Sequence, residues 1–321
     1  MIDSDMSSAP VSTFLIVDGH ALIYRAYHAF PPLLDSHSRP AGAFFGFLRI
    51  LLSVLKQVEP DCWLIAFDDP APTKRRQAYD FYKANRPPMP EDLRPQIALI
   101  EQAVSILGAP VLQVPGIEAD DIIGTISRQV CESGRAKVLI LTGDKDSFQL
   151  VNDCIHVLVP TLGRRRESGS KQNLIEYNPA LVEKKMLVKP HQIIDYKALA
   201  GDPSDNIPGV TGIGPKTAAN LLHTFGSLDG IYQAIEQDEF VQIRSSVVAK
   251  LQAQRENAYI SQELATIDQH VPDLDFNFDA CKITGYNKEA TAEFLLAHGF
   301  KSLIKDLPAD SFDVGLQEAL F

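Results

Sequence analysis

Nine carboxylates stand out by where they fall. Asp18 and Asp68 each close an apolar run, FLIVD at 14–18 and CWLIAFD at 62–68. Glu118, Asp120 and Asp121 crowd the segment EADDIIGT, Asp144 and Asp146 straddle Lys145 behind KVLILT, and Asp202 and Asp205 pair in GDPSDN. Unpaired carboxylates gathered in one cleft repel each other, and hard divalent cations with a preference for oxygen resolve that repulsion. Two such ions can activate water and steady a leaving oxygen, which is the chemistry of phosphodiester hydrolysis. Glu118 and Asp121 are three apart and share a helix face, with Asp120 pointing elsewhere but within reach of a neighbouring ion. If their segment is extended, Asp144 and Asp146 face the same side. The sequence has no EF-hand spacing, no GxxxxGK[ST] loop and no HExxH, which sets aside calcium sensing, P-loop nucleotide chemistry and zinc-protease chemistry.

The elements that must position these acids alternate. Residues 14–18 predict a buried strand, 41–58 an apolar helix, 62–68 a second strand, and 92–107 a helix with Pro95 in its first turn. Residues 110–116 predict a short strand and turn, 118–134 a helix, and 137–146 a strand running into an acidic loop. Unbroken apolar strands alternating with helices predict an α/β domain around a central, mainly parallel sheet. Ligands of such sheets bind beyond the carboxyl ends of the strands, where Asp18, Asp68, Asp144 and Asp146 fall. Strand-end aspartates also serve as turn formers and N-caps. That reading suits any one site and fits poorly when every core strand supplies acids. Beyond residue 190 the texture turns mostly helical, with GVTGIGPKTA at 209–218, and a further helix is predicted at 287–298. Residues 163–173, with Arg164, Arg165 and Arg166, predict an exposed loop.

The chain has 321 residues, 45% apolar and 22% charged, an ordinary globular balance. Its net charge of −11 argues against non-specific nucleic-acid binding until the charges are located. Many acids sit in a few motifs that metal ions can neutralise, and several Lys and Arg cluster elsewhere. Cys62, Cys131, Cys154 and Cys281 form no CxxC pair, so neither structural zinc nor a disulfide framework is expected. A reducing compartment is the simpler expectation. The polar, acidic start is unlike a signal peptide, and no apolar run approaches membrane-spanning length, so no membrane partner is expected.

Five blocks carry a resemblance: VDGHALIYRAYHAF (17–30), FDDPAPTKRRQAYDFYKANRPPMPEDLR (67–94), GIEADDIIGT (116–125), LTGDKDSFQLV (141–151) and KALAGDPSDNIPGVTGIGPKTA (197–218). In this order and spacing the chain resembles the bacterial and phage 5′–3′ exonuclease and flap endonuclease family, most of all the nuclease domain at the N-terminus of bacterial DNA polymerase I. The resemblance implies that Asp18, Asp68, Glu118, Asp120, Asp121, Asp144, Asp146, Asp202 and Asp205 hold two or more Mg²⁺ or Mn²⁺ ions. It implies a PIN-like core with a helical arch at 70–95 through which a 5′ strand passes. Lys83 and Arg86, three apart on one helical face, are expected at the scissile phosphate, with Arg75 as the arch arginine and Lys74 and Arg76 beside it. Lys74 stands where the family usually has an aromatic. Tyr24 and Arg25 match a pair near the active site. GVTGIGPKTA resembles a helix–hairpin–helix element, with Gly212 and Gly214 in its turn, Lys216 on phosphate and K⁺ bridging to the duplex.

The implied organisation is a catalytic domain over 12–190 and a helical helix–hairpin–helix domain over 191–310. The implied activity is hydrolysis of DNA at a 5′ flap, nick or primer terminus, in primer removal or repair. A monomer is expected, and a stand-alone chain and the front of a polymerase I chain both fit.

Overall fold

The computed structural model describes residues 12–161, 174–239, 243–283 and 287–308. The predicted loop at 163–173, with Arg164, Arg165 and Arg166, therefore lies outside the described residues. The chain runs β1 (Ser12–Asp18), α1 (Gly19–Ala29), α2 (Gly42–Val58), β2 (Cys62–Ala66), α3 (Lys74–Ala78), α4 (Arg94–Ile106), β3 (Val111–Leu112), α5 (Ala119–Glu132), β4 (Ala136–Leu141), β5 (Ile155–Pro160) and β6 (Leu174–Tyr177). Helices follow: α6 (Pro179–Met186), α7 (Ile193–Ala200), α8 (Pro215–Phe225), α9 (Leu228–Glu236), α10 (Ser245–Ala253), α11 (Arg255–Ala265), α12 (Lys288–Ala297) and α13 (Lys301–Ile304).

The sheet has six strands in the order β3-β2-β1-β4-β5-β6. All neighbours pair parallel except β5 with β6, so the expected mainly parallel sheet is present. Alternate side chains of β1 feed two cores. Phe14 and Ile16 pack with Ile122, Ile123 and Ile126 of α5, and on through Leu199 and Leu222 into the helical part. Leu15 and Val17 pack with Phe44, Phe47 and Leu51 of α2 and Ile100 of α4. Helices cover both faces, which is why the strands read as continuous apolar runs. Full burial of one such side chain contributes roughly 2–3 kcal/mol. At the β1–α1 junction a Cβ on Gly19 would sit 2.3 Å from the Phe67 ring, so only glycine lets α1 leave directly behind Asp18.

Three expectations need correction. Residues 70–93 do not form a helical arch. Among them only α3 is helical, and the rest is turns. Pro70, Pro72, Pro87, Pro88 and Pro90 remove the backbone donors that a helix needs. Lys83 and Arg86 thus share a turn rather than a helix face, with the Arg86 N–H donating to the Lys83 carbonyl and Lys83 at φ 55°. Asp144 and Asp146 are not in an extended run, since Asp146 opens a 3₁₀ turn (Asp146–Leu150) and its N–H donates to Asp144 Oδ1 at 3.0 Å. Finally, Cys131 and Cys154 form a disulfide with Cα atoms 6.1 Å apart, while Cys62 and Cys281 are free and buried. The 23-residue separation hid the pairing, which arises because the end of α5 folds back beside the start of β5.

Candidate active site

Asp18 ends β1 and also caps α1. Its Oδ1 accepts from the Ala21 N–H at 3.0 Å and its Oδ2 from the Thr142 hydroxyl at 2.8 Å. Asp68 accepts from the Ala119 N–H at the start of α5 at 2.9 Å, while its own N–H donates to His20 Nδ1 at 3.1 Å. Capping and clustering are therefore not alternatives here: Asp18 does both as the N-cap of α1, and a long-range bond to the first N–H of α5 holds Asp68.

Electrostatics shows which acids crowd each other. Burial, aided by Asp68 and Asp144, pushes Asp18 up to about 7. Burial and then Asp144 push Asp146 up to about 7. Desolvation in the cleft, then Asp144 and Asp18, raise Asp120 well above the carboxylate range. Burial first and neighbouring acids second thus disfavour charge on all three.

Around this centre lie carboxylates that do have partners. Glu118 Oε2 accepts from Lys83 Nζ at 2.7 Å and from the Tyr82 hydroxyl at 3.2 Å, and its Oε1 accepts from the Thr73 hydroxyl at 3.0 Å. Despite burial, Lys83 and Arg75 hold Glu118 below its ordinary range. Asp205 Oδ1 accepts from Arg86 at 2.6 Å, and Lys83 lies 3.8 Å from its other oxygen. Asp202 accepts from Lys197 Nζ at 2.6 Å and from Ser204, and against the pull of burial these hold it low. The same Lys197 ammonium contacts Asp146. Asp121 is engaged differently: Arg75 grips both of its oxygens, at 2.7 and 2.8 Å.

The segment at 79–86 is fastened over these acids. The Lys83 N–H donates to the Asp205 carbonyl at 2.9 Å, Asn206 Nδ2 to the Phe81 carbonyl at 2.8 Å and Asn85 Nδ2 to the Pro203 carbonyl at 2.7 Å. Lys74 and Arg76 are exposed and make no ion pair among the described residues. Tyr24 is half-buried against the second core, and Arg25 donates to the Pro160 carbonyl with its Nε buried and unpartnered. Gly212 is exposed on the loop into α8, and Lys216 is exposed in the first turn of α8. Gly212 has φ 86°, whereas Gly214, the N-cap of α8, has φ −93°. The turn thus needs glycine at the first position and tolerates other residues at the second.

The sequence reading missed Lys197, His20, Thr142 and Tyr82. Lys197 had a signal, a lone cation in the apolar stretch IIDYKALA one turn before GDPSDN. His20, Thr142 and Tyr82 carried none, because their roles depend on contacts across the fold.

The donor set fits hard divalent cations: carboxylates dominate, and Asp18 and Asp120 form no ion pair among the described residues. No three His, Cys, Asp or Glu side chains among the described residues converge closely enough to hold a metal ion as they stand.

Two family profiles cover the chain. The one described as 5′-3′ exonuclease, N-terminal resolvase-like domain, matches residues 13–187. The one described as 5′-3′ exonuclease, C-terminal SAM fold, matches residues 188–289. The chain is 39% identical over 313 residues to DNA polymerase I of Pseudomonas aeruginosa, matching 97% of this chain and 32% of that protein. Likewise it is 38% identical over 293 residues to DNA polymerase I of Caldicellulosiruptor bescii, with 91% and 33% covered. The chain thus spans about a third of the length of these polymerases. It is also 35% identical over 299 residues to the 5′-3′ exonuclease of Aquifex aeolicus, covering 92% of this chain and 96% of that one. The solved structure of T5 5′-exonuclease with bound zinc has the same fold, with a TM-score of 0.62 at 21% identity over 92% of this chain and 97% of that chain. With family matches over residues 13–289, the chain belongs to the 5′–3′ exonuclease family.

Proposed function

We propose that the chain hydrolyses DNA at junctions where a 5′ end leaves a duplex, as a 5′–3′ exonuclease and 5′-flap endonuclease. One observation carries this reading. Lys83 and Arg86 of the covering segment pair with Glu118 and Asp205, at the margin of the crowded acids Asp18, Asp120 and Asp146, and the Lys83 charge also bears on Asp120. Such a cleft admits a phosphodiester between cations above and metal-binding acids below. Support also comes from relatives. One solved T5 flap endonuclease structure is a complex with DNA and metal ions, at a TM-score of 0.61 and 21% identity over 92% of this chain and 97% of that chain.

Asp18, Asp68, Asp120, Asp144 and Asp146 would hold Mg²⁺ or Mn²⁺, with Glu118, Asp202 and Asp205 at the margin. When bound, such ions supply Lewis-acid stabilisation and ease the deprotonation of water. The protein's own part is positioning. Thr142 and the Ala21 N–H fix Asp18, His20 and the Ala119 N–H fix Asp68, and Lys197 spans Asp146 and Asp202. Lys83 and Arg86 exchange their carboxylate partners for phosphate oxygens and stabilise charge as it develops. The product carries a 5′ phosphate at the cut.

The loop 201–214 with α7 and α8 serves as a helix–hairpin–helix, where Gly212, the α8 N-terminus and Lys216 meet duplex phosphates and K⁺ bridges to the backbone. Division at 12–190 and 191–310, work as a monomer, a cytoplasmic nucleoid setting, and a place at the front of a polymerase I belong to the same proposal. The test offers labelled 5′-flap, nicked, RNA-primed and single-stranded substrates with Mg²⁺ or EDTA. Metal-dependent cutting near the junction supports it, and no cutting of any 5′ structure refutes it.

A further inference from the structure

Arg75 and Asp121 form the most completely saturated ion pair around the cleft. Arg75 Nη1 donates to Asp121 Oδ2 at 2.8 Å and its Nη2 to Asp121 Oδ1 at 2.7 Å, a two-pronged contact. Asp121 Oδ1 accepts again from the Asp268 N–H at 2.8 Å, and Arg75 also donates to the Thr266 carbonyl. The Asp121 residue is only 6% exposed. Successive residues in a helix turn by about 100°. Asp120 in the first turn of α5 therefore faces the acids, while Asp121 faces α3 and the chain leaving α11.

We propose that Arg75 and Asp121 are a positioning pair and not a phosphate contact and a metal ligand. The pair bolts α3, the base of the covering segment, to the first turn of α5 and to residues 266–268. It thereby sets the height of Lys83 and Arg86 over the acids. This inference rests on the metal-dependent nuclease reading above.

The test uses the full chain with Asp120→Asn, Asp121→Asn, Arg75→Ala, Arg75→Lys and the double variant R75A/D121N. Calorimetry with Mg²⁺ alone should show affinity reduced more than about tenfold in D120N and within about twofold of the wild type in D121N, as for loss of a ligand against loss of a remote group. Single-turnover flap cleavage should slow by about a hundredfold in both D121N and R75A through misplacement, with DNA affinity little changed. R75A/D121N should be no slower than the slower single variant, and R75K should recover part of the rate. Trypsin should cut sooner at Lys74, Arg76 and Lys83 in D121N and R75A. Mg²⁺ binding lost in D121N as in D120N would make Asp121 a ligand and overturn the inference. So would additive rate losses in the double variant, which would mean that the two residues act separately. If instead D120N binds Mg²⁺ like the wild type, the metal site itself is wrong, while a coupled double variant still upholds the bolt.

Discussion

Stripped of divalent cations, the protein should lose stability as pH rises from 5.5 to 7.5. Asp18 and Asp146 titrate at about 7 in the fold, held up by burial and by neighbouring acids, against an ordinary 3.8. Between those values the folded protein keeps protons that the unfolded chain has released, so each rise in pH favours unfolding. Glu118 and Asp202 are shifted the other way. Their contribution is lost only as pH falls below the ordinary carboxylate range, so they are silent in this window. One raised carboxyl changes stability by about 1.4 kcal/mol per pH unit below its folded value and by less as that value is passed, hence roughly 2 kcal/mol across this window. The acids titrate as a cluster, so the slope belongs to the group. Urea unfolding in EDTA at the two pH values measures it. Mg²⁺ should reduce the loss, and Asp120→Asn should be more stable than wild type at pH 7.5 in EDTA. A flat or rising stability in EDTA would refute the reasoning.

Three further outcomes follow from particular contacts. Lys83→Met should slow single-turnover flap cleavage by about 10²–10³-fold while leaving flap affinity nearly unchanged, since its ammonium serves the developing charge; rapid-quench kinetics reads both. Tyr82→Phe removes the hydroxyl that donates to Glu118 and should destabilise the protein by about 1 kcal/mol, seen as a lower urea midpoint. Lys216→Ala should weaken duplex binding for every sequence tested and reduce the salt slope by about 1, measured by anisotropy across a salt series.

The sheet and the strand-end acids were legible because physics writes them locally. Burial on both faces demands unbroken apolar strands, and the acids at 18, 68, 144 and 146 follow those runs at once. The covering segment was less legible. Its Lys and Arg spacing suggested a helix face, but five prolines between 70 and 90 break the helix into turns, and the positive φ of Lys83 comes from docking against Asp205 and Asn206. Proximity in sequence also grouped Asp120 with Asp121, although one helical step sends them to different neighbours. Lys197 and the Cys131–Cys154 link needed contacts across the fold that no local pattern encodes.

The most direct test of the central claim is single-turnover cleavage of a 5′-labelled flap on duplex DNA, comparing wild type with Asp120→Asn and Lys83→Ala, in Mg²⁺ and in EDTA. The account predicts cutting near the junction by wild type in Mg²⁺ alone, with each variant slower by at least about a hundredfold. Undiminished cutting by either variant, or equal cutting in EDTA, would contradict it.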